Sequence, residues 1–219
     1  MNFYSKSHAY FQEKFKTLKL AKRLEELSVR DGLNDFAIDF ISSMNMMFIS
    51  SVNQDGYPTV SYKGGEKGFI LIKNRNEFCF PNYDGNGMFL TLGNILETKK
   101  VGILFISFEK PFRIRVEGTA SISLSEDDLS KFPGAIAVIE VNITRVWENC
   151  PRYIHRVDSM SISKSIPSSN HSNINAEWKR ISLLQDVLPA EVVRKNLKMG
   201  TIDAEEWKKR VQNGDPSAE

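Results

Sequence analysis

Two neighbouring stretches with different hydropathy patterns limit this chain more than any other feature. Val101-Gly102-Ile103-Leu104-Phe105-Ile106 is apolar almost throughout, the pattern of a strand buried on both faces. Phe112-Arg113-Ile114-Arg115-Val116-Glu117-Gly118-Thr119-Ala120 alternates strictly instead. It sends Phe112, Ile114 and Val116 to one face and Arg113, Arg115 and Glu117 to the other. Shorter β-prone runs stand around this pair. Residues 46–52 are mostly apolar and lead into a turn at 53–58 whose Asp55-Gly56 pair signals a hairpin. Residues 59–63, 69–72 and 77–80 follow, and 135–147 is a long run of Val, Ile and Thr. Six or more short strands interrupted by one helix predict a mainly β fold with flanking helices (α+β), an antiparallel barrel closed wholly or in part.

The interruption itself is distinctive. Phe78-Cys79-Phe80 runs into Pro81, then into Asn82-Tyr83-Asp84-Gly85-Asn86-Gly87, and re-emerges with helical spacing of Phe89, Leu92 and Ile95. A glycine turn opening a helix presents backbone N–H groups with no helical partner, which favours an anion. The same residues also serve in ordinary strand-to-helix connections. Before the barrel, residues 5–27 have helical spacing (Phe11, Phe15, Leu18, Ala21, Leu24), and Asn34 is placed to cap a second helix. Residues 123–132 read as an acidic turn and helix. A Ser/Asn-rich crossing loop at 159–173, with an extended piece at 160–166, precedes amphipathic helices at 177–211. The expected organisation is a helical extension (1–44), a barrel core (45–155) and a crossing loop with C-terminal helices (156–219), all in one compact domain.

Composition sets limits on function. With 219 residues the chain can bury a substantial core, and a formal net charge of +2 gives no field for nucleic acid. Lys14, Lys16, Lys19, Lys22 and Arg23 share their segment with Glu13, Glu25 and Glu26, as a solvated helix face does. Cys79 and Cys150 have neither zinc nor CxxC spacing, and His8, His155 and His171 are scattered, so no metal site and no nucleophilic triad is expected. The N-terminus lacks the layout of a secretory signal, and no apolar run reaches the ~18–20 residues that span a bilayer. A cytoplasmic location away from membranes is the expectation.

The order of the pieces carries a resemblance. Asp55-Gly56-Tyr57-Pro58-Thr59-Val60-Ser61 is followed by Gly85-Asn86-Gly87, Thr91-Leu92-Gly93-Asn94-Ile95, and then Arg113-Ile114-Arg115-Val116-Glu117-Gly118. This resembles the pyridoxamine 5'-phosphate oxidase-like family of FMN-binding split β-barrel proteins. More narrowly, it resembles the branch with a helical N-terminal extension and an Asn-Cys-Pro-Arg-Tyr-Ile motif, here 149–154. The resemblance spans residues 5–188. It implies an antiparallel split β-barrel of the FMN-binding type, a homodimer, and FMN in the groove between subunits. It also implies flavin contacts from Ser61, Tyr62 and Lys63, phosphate or ribityl contacts from Gly85, Asn86, Gly87 and Asn94, and cofactor contacts from Arg113 or Arg115. Arg152 would close the pocket or the dimer contact.

Departures from the family pattern bear on activity. The oxidases carry an arginine where Ser61 stands and a Ser-Arg-Lys triplet where Gly85-Asn86-Gly87 stands, and their C-terminal Arg-x-His motif is not evident in 176–219. The resemblance therefore points away from pyridoxamine 5'-phosphate oxidation itself. Two function classes follow: an FMN-dependent oxidoreductase acting on a small molecule with NAD(P)H or an organic donor, or a flavin-binding module without turnover. A deazaflavin or haem is an alternative occupant of such a barrel. No catalytic side chain is identified, since the flavin ring carries the electron chemistry.

Overall fold

Seven strands hydrogen-bond into one antiparallel sheet: β1 (Met46–Val52), β2 (Pro58–Gly64), β3 (Leu71–Asn74), β4 (Glu77–Tyr83), β5 (Lys100–Ser107), β6 (Phe112–Ser123) and β7 (Ala135–Asn149). Their order across the sheet is β2-β1-β5-β6-β7-β4-β3. This computed structural model describes residues 3–149, 152–155, 157–158, 166 and 177–213. Contacts divide the chain into two compact units, Met1–Met160 and Ser161–Glu219.

The β1–β2 hairpin forms where Asp-Gly predicted it. Asn53 Oδ1 accepts the Tyr57 N–H at 2.9 Å, and Gly56 takes a φ of +86° that a side chain would resist. The long strands β6 and β7 pair along most of their length with a bulge at Glu117/Gly118, where Gly118 lies against the Asn142 carbonyl. Bulges increase twist, and the sheet curls until β2 reaches β4. Four strands separate these two in the sheet, yet Lys63 Nζ on β2 stands 2.8 Å from Asn82 Oδ1 on β4. The antiparallel sheet with flanking helices is the architecture read from the sequence.

The inside of the curl is filled by Met47, Ile49, Phe78, Phe80, Ile103, Phe105, Ile114, Val116 and Ile139, all at most 3% exposed. Helix α3 (Asp35–Ser42) adds Ala37 and Ile41 to this core, and Asn34 caps it by accepting the Ala37 N–H at 2.8 Å. On the other face of β4, Cys79 packs with Val138 and Phe132 in a smaller cluster beside α5 (Glu126–Leu129).

The structure differs from the sequence reading in four places. The single helix expected at 5–27 is two, α1 (Lys6–Lys14) and α2 (Leu18–Ser28), because Lys16 adopts a left-handed φ of +58° between them. Strand β5 buries only Val101, Ile103 and Phe105; Gly102, Leu104 and Ile106 face outward and stay half-buried. Strand β4 runs through Pro81 to Tyr83. Strand β3 pairs with β4 only as far as Cys79, so beyond it β4 is an edge, where a missing N–H is tolerated. On α4 (Leu90–Thr98) the buried face is Thr91, Asn94 and Ile95, while Phe89 remains exposed.

In the second unit, two short 3-10 turns (Glu177–Arg180 and Ser182–Leu184) precede α6 (Ala190–Met199) and α7 (Ala204–Gln212). Asn196 is fully buried and donates to Lys179 O at 2.7 Å and Gln185 Oε1 at 3.1 Å. Arg180 donates to the Met199 and Gly200 carbonyls at the end of α6, the position where a cation suits a helix. The expected crossing loop at 159–173 lies outside the described residues, apart from Ile166. Among the described residues no helix is long and apolar enough to cross a membrane.

Candidate functional site

Alternation along β2 turns Thr59, Ser61 and Lys63 inward and leaves Pro58, Val60 and Tyr62 exposed. On β4 the face that carries Phe78 and Phe80 continues to Asn82, a buried amide where the core pattern calls for an apolar side chain. Lys63 and Asn82 meet there. The β4 end then passes through the Gly85-Asn86-Gly87 turn into α4, whose Thr91 Oγ1 lies 3.1 Å from Ser61 Oγ. These pieces enclose a cavity of about 290 Å³ lined by Ser61, Tyr62, Lys63, Asn82, Tyr83 and residues 85–92.

The turn is shaped by positive φ at Gly87 (+76°) and Phe89 (+51°). Asn86 Oδ1 accepts the Met88 N–H at 3.0 Å, closing the loop on itself. A side chain built at Gly85 or Gly87 would meet nothing within 4 Å, so both border open space. No side chain caps the start of α4, which leaves its first N–H groups to solvent or a ligand. Met88, Phe89 and Leu90 are all about half exposed or more and form an apolar lip.

The cavity carries one basic side chain. Burial pushes the Lys63 ammonium below the ordinary lysine range, because a charge loses solvation there. Burial, with Glu66 adding to it, raises the Tyr83 phenol. An anion at this cavity would return to Lys63 the charge stabilisation that water no longer supplies. Among the described residues no group of three His, Cys, Asp or Glu could hold a metal.

Ser61, Tyr62, Lys63, Gly85, Asn86 and Gly87, expected from the sequence, are brought together as lining. Asn94 lies beneath the helix, 7% exposed, donating to Ser51 Oγ and Thr59 Oγ1. Arg113 and Arg115 are on the outward face of β6, away from the lining. Arg115 is exposed; the Arg113 Nε is buried without a hydrogen-bond partner among the described residues, as is Oδ1 of its register partner Asn149. Arg152 is exposed with its guanidinium 4.8 Å from the Tyr153 ring centre. His155 is exposed, and Cys150, Pro151 and His171 lie outside the described residues. The sequence reading missed Asn82, Tyr83 and Thr91. A polar residue continuing the Phe78, Phe80 face was the available signal for Asn82.

A wider hollow of about 720 Å³ lies between α2, the turn before α3 and β7, with Arg30, Arg75 and Arg145 in its lining. Each of these faces a carboxylate (Glu148 at 3.3 Å, Asp35 at 2.6 Å and Glu117 at 3.7 Å), and Arg145 also covers the Phe3 ring. Its three arginines are thus paired within the fold.

The sequence pattern of the pyridoxamine 5'-phosphate oxidase family matches residues 33–150, from the residue before the α3 cap to the end of β7. The chain belongs to the pyridoxamine 5'-phosphate oxidase family. No curated protein matches it. Among solved structures it is similar to HupZ of Group A Streptococcus, at 16% identity over 57% of this chain and 98% of that one, TM-score 0.44. It is also similar to an FMN-binding protein of Syntrophomonas wolfei (14% identity, 64% of this chain and 97% of that one, TM-score 0.41). A third is an FAD binding protein of Mycobacterium smegmatis (15%, 55% and 97%, TM-score 0.39). The family match ends at residue 150, so the second unit lies outside it.

Proposed function

We propose that this member of the pyridoxamine 5'-phosphate oxidase family is a flavoprotein that binds FMN at the β2–β4–α4 cavity. Its role on this reading is that of an oxidoreductase acting on a small molecule, with NAD(P)H or an organic donor as the source of electrons. The observation that carries the reading is the Lys63–Asn82 pair beside an uncapped helix start and an apolar lip. That set fits a ligand with one anionic end and one flat apolar end. Lys63 and the N–H groups at the start of α4 would hold the phosphate, with the glycines giving it room to approach. Met88, Phe89 and Leu90 would exclude water from the ring, and Ser61 and Tyr62 would fix its orientation. The flavin, when bound, supplies hydride and electron transfer.

The proposal includes a homodimer. A cavity of about 290 Å³ falls just below the ~300–1,000 Å³ typical of ligand sites, so one chain encloses only part of a flavin mononucleotide. A second copy against the outward face of β2, where Val60 and Tyr62 are exposed, would complete it. The absence of the basic triplet at 85–87 argues against pyridoxamine 5'-phosphate as substrate. The test is titration of the purified protein with FMN, a deazaflavin and haem, with the mass in solution measured alongside. Tight binding of FMN alone by a dimer is expected. Loaded protein that NAD(P)H and organic donors fail to bleach would select the non-catalytic module instead.

A further inference from the structure

Helix α4 meets the β1–β2 hairpin through a row of polar groups. Thr91, Asn94 and Thr98 recur at the i, i+3, i+7 spacing of one helical face. Thr91 Oγ1 is 3.1 Å from Ser61 Oγ, Asn94 Nδ2 donates to Ser51 Oγ (3.0 Å) and Thr59 Oγ1 (3.1 Å), and Thr98 Oγ1 donates to the Val52 carbonyl (2.7 Å). Ser51 and Thr59 are register partners whose hydroxyls lie 3.3 Å apart, so Asn94 seats on a prepared pair. Ser51, Thr91 and Asn94 are all buried.

An apolar helix face is held on a sheet by packing alone. A buried polar face is held more strictly, because any shift also leaves several groups without partners. The bonds run along α4 from Thr91, in the cavity wall, to Thr98 at its far end. We infer that the Thr91–Asn94–Thr98 seam is a positioning device that sets the register of α4 on the hairpin, and with it the place of the N–H groups and apolar lip at the cavity. Asn94 is its central positioning residue and acts through the helix, without touching the ligand. The ligand arm of its test rests on the FMN reading; the register is a property of the chain alone.

The experiment compares wild type, Asn94→Leu and Asn94→Asp by amide hydrogen exchange, FMN titration and thermal melting. Leu keeps the branching of Asn at Cγ with larger methyl ends and leaves Ser51 and Thr59 free to bond each other, so Asn94→Leu folds with a melting midpoint lowered by only a few degrees. Exchange at the hydrogen-bonded amides of 93–98 rises about tenfold and FMN affinity falls about tenfold, while global exchange is unchanged. Asn94→Asp accepts from the same two hydroxyls and restores slow exchange. Wild-type exchange in Asn94→Leu overturns the inference. Lost affinity with wild-type exchange also overturns it, by making Asn94 a ligand contact. If Asn94→Leu does not fold, Thr91→Val reads the same amides. If wild type ignores FMN, the cofactor reading fails while the exchange arm still decides the seam.

Discussion

Replacing Lys63 by Met tests the electrostatics of the cavity with little change of shape. The substitution keeps an unbranched apolar stem and removes the only ammonium in the lining. A hydrogen bond to a charged group contributes about 1.5–3 kcal/mol, so FMN affinity should fall by roughly 10- to 150-fold. Riboflavin has the same ring without the phosphate, and its affinity should change less than about threefold. Stability moves in both directions: Asn82 loses the donor now 2.8 Å from its Oδ1, while a buried charge is removed. The two terms offset, and the melting midpoint should shift by only a few degrees. The pH dependence has a definite sign. Burial lowers the Lys63 pKa in the folded chain, so the unfolded chain binds more protons between that lowered value and the ordinary lysine range. Through that window wild-type stability gains from rising pH, and Lys63→Met loses that gain. Phosphate binding favours the protonated ammonium, so FMN titrations by calorimetry in buffers of different ionisation enthalpy should show proton uptake within that same pH window. Equal weakening of FMN and riboflavin, or no uptake, would refute the assignment of Lys63 to the phosphate.

Three other perturbations test the scaffold. Gly118→Ala places a Cβ against the Asn142 carbonyl at the β6–β7 bulge, a backbone clash that should cost about 1–3 kcal/mol or more and lower soluble yield. Asn34→Ala removes the α3 cap and should cost about 1 kcal/mol in denaturant titration, and Asn34→Asp should retain most of it. Asp128 is held well below the usual carboxylate range by Lys131 and by the Ser123 and Ser125 hydroxyls. Its contribution to stability is present above the ordinary aspartate pKa and lost as pH falls through the lowered value, so Asp128→Asn should flatten the acid limb of a melting profile.

Much of the fold was legible because local chemistry and burial agree. The Asp55-Gly56 hairpin, the Asn34 cap and the alternation of Phe112, Ile114 and Val116 each specify one local structure, and each appears. Strand β5 misled because its apolar outward residues, Leu104 and Ile106, read as buried when they are half-covered in this chain. Proline 81 misled because its tolerance depends on β3 stopping at Cys79, a pairing fact that no local pattern carries. The break at Lys16 lies in an unfavourable φ for a lysine, which sequence periodicity cannot register.

At the site, the β2 and glycine-turn residues were legible because their order along the chain matches a family pattern. Asn94 and Thr91 show what order alone leaves out. They sit on the buried face of α4, where their partners are hydroxyls 30 to 43 positions away. The arginines of β6 carry the right chemistry for a phosphate, yet strand alternation turns them away from the cavity of their own chain.

The central claim is tested most directly by titrating purified protein with FMN while recording flavin absorption and the melting midpoint. The account predicts one FMN per chain. At a hundredfold excess over Kd it predicts about 2.7 kcal/mol of added stability, a rise of roughly 5–10 °C. Colourless protein whose midpoint does not move at saturating FMN would contradict it.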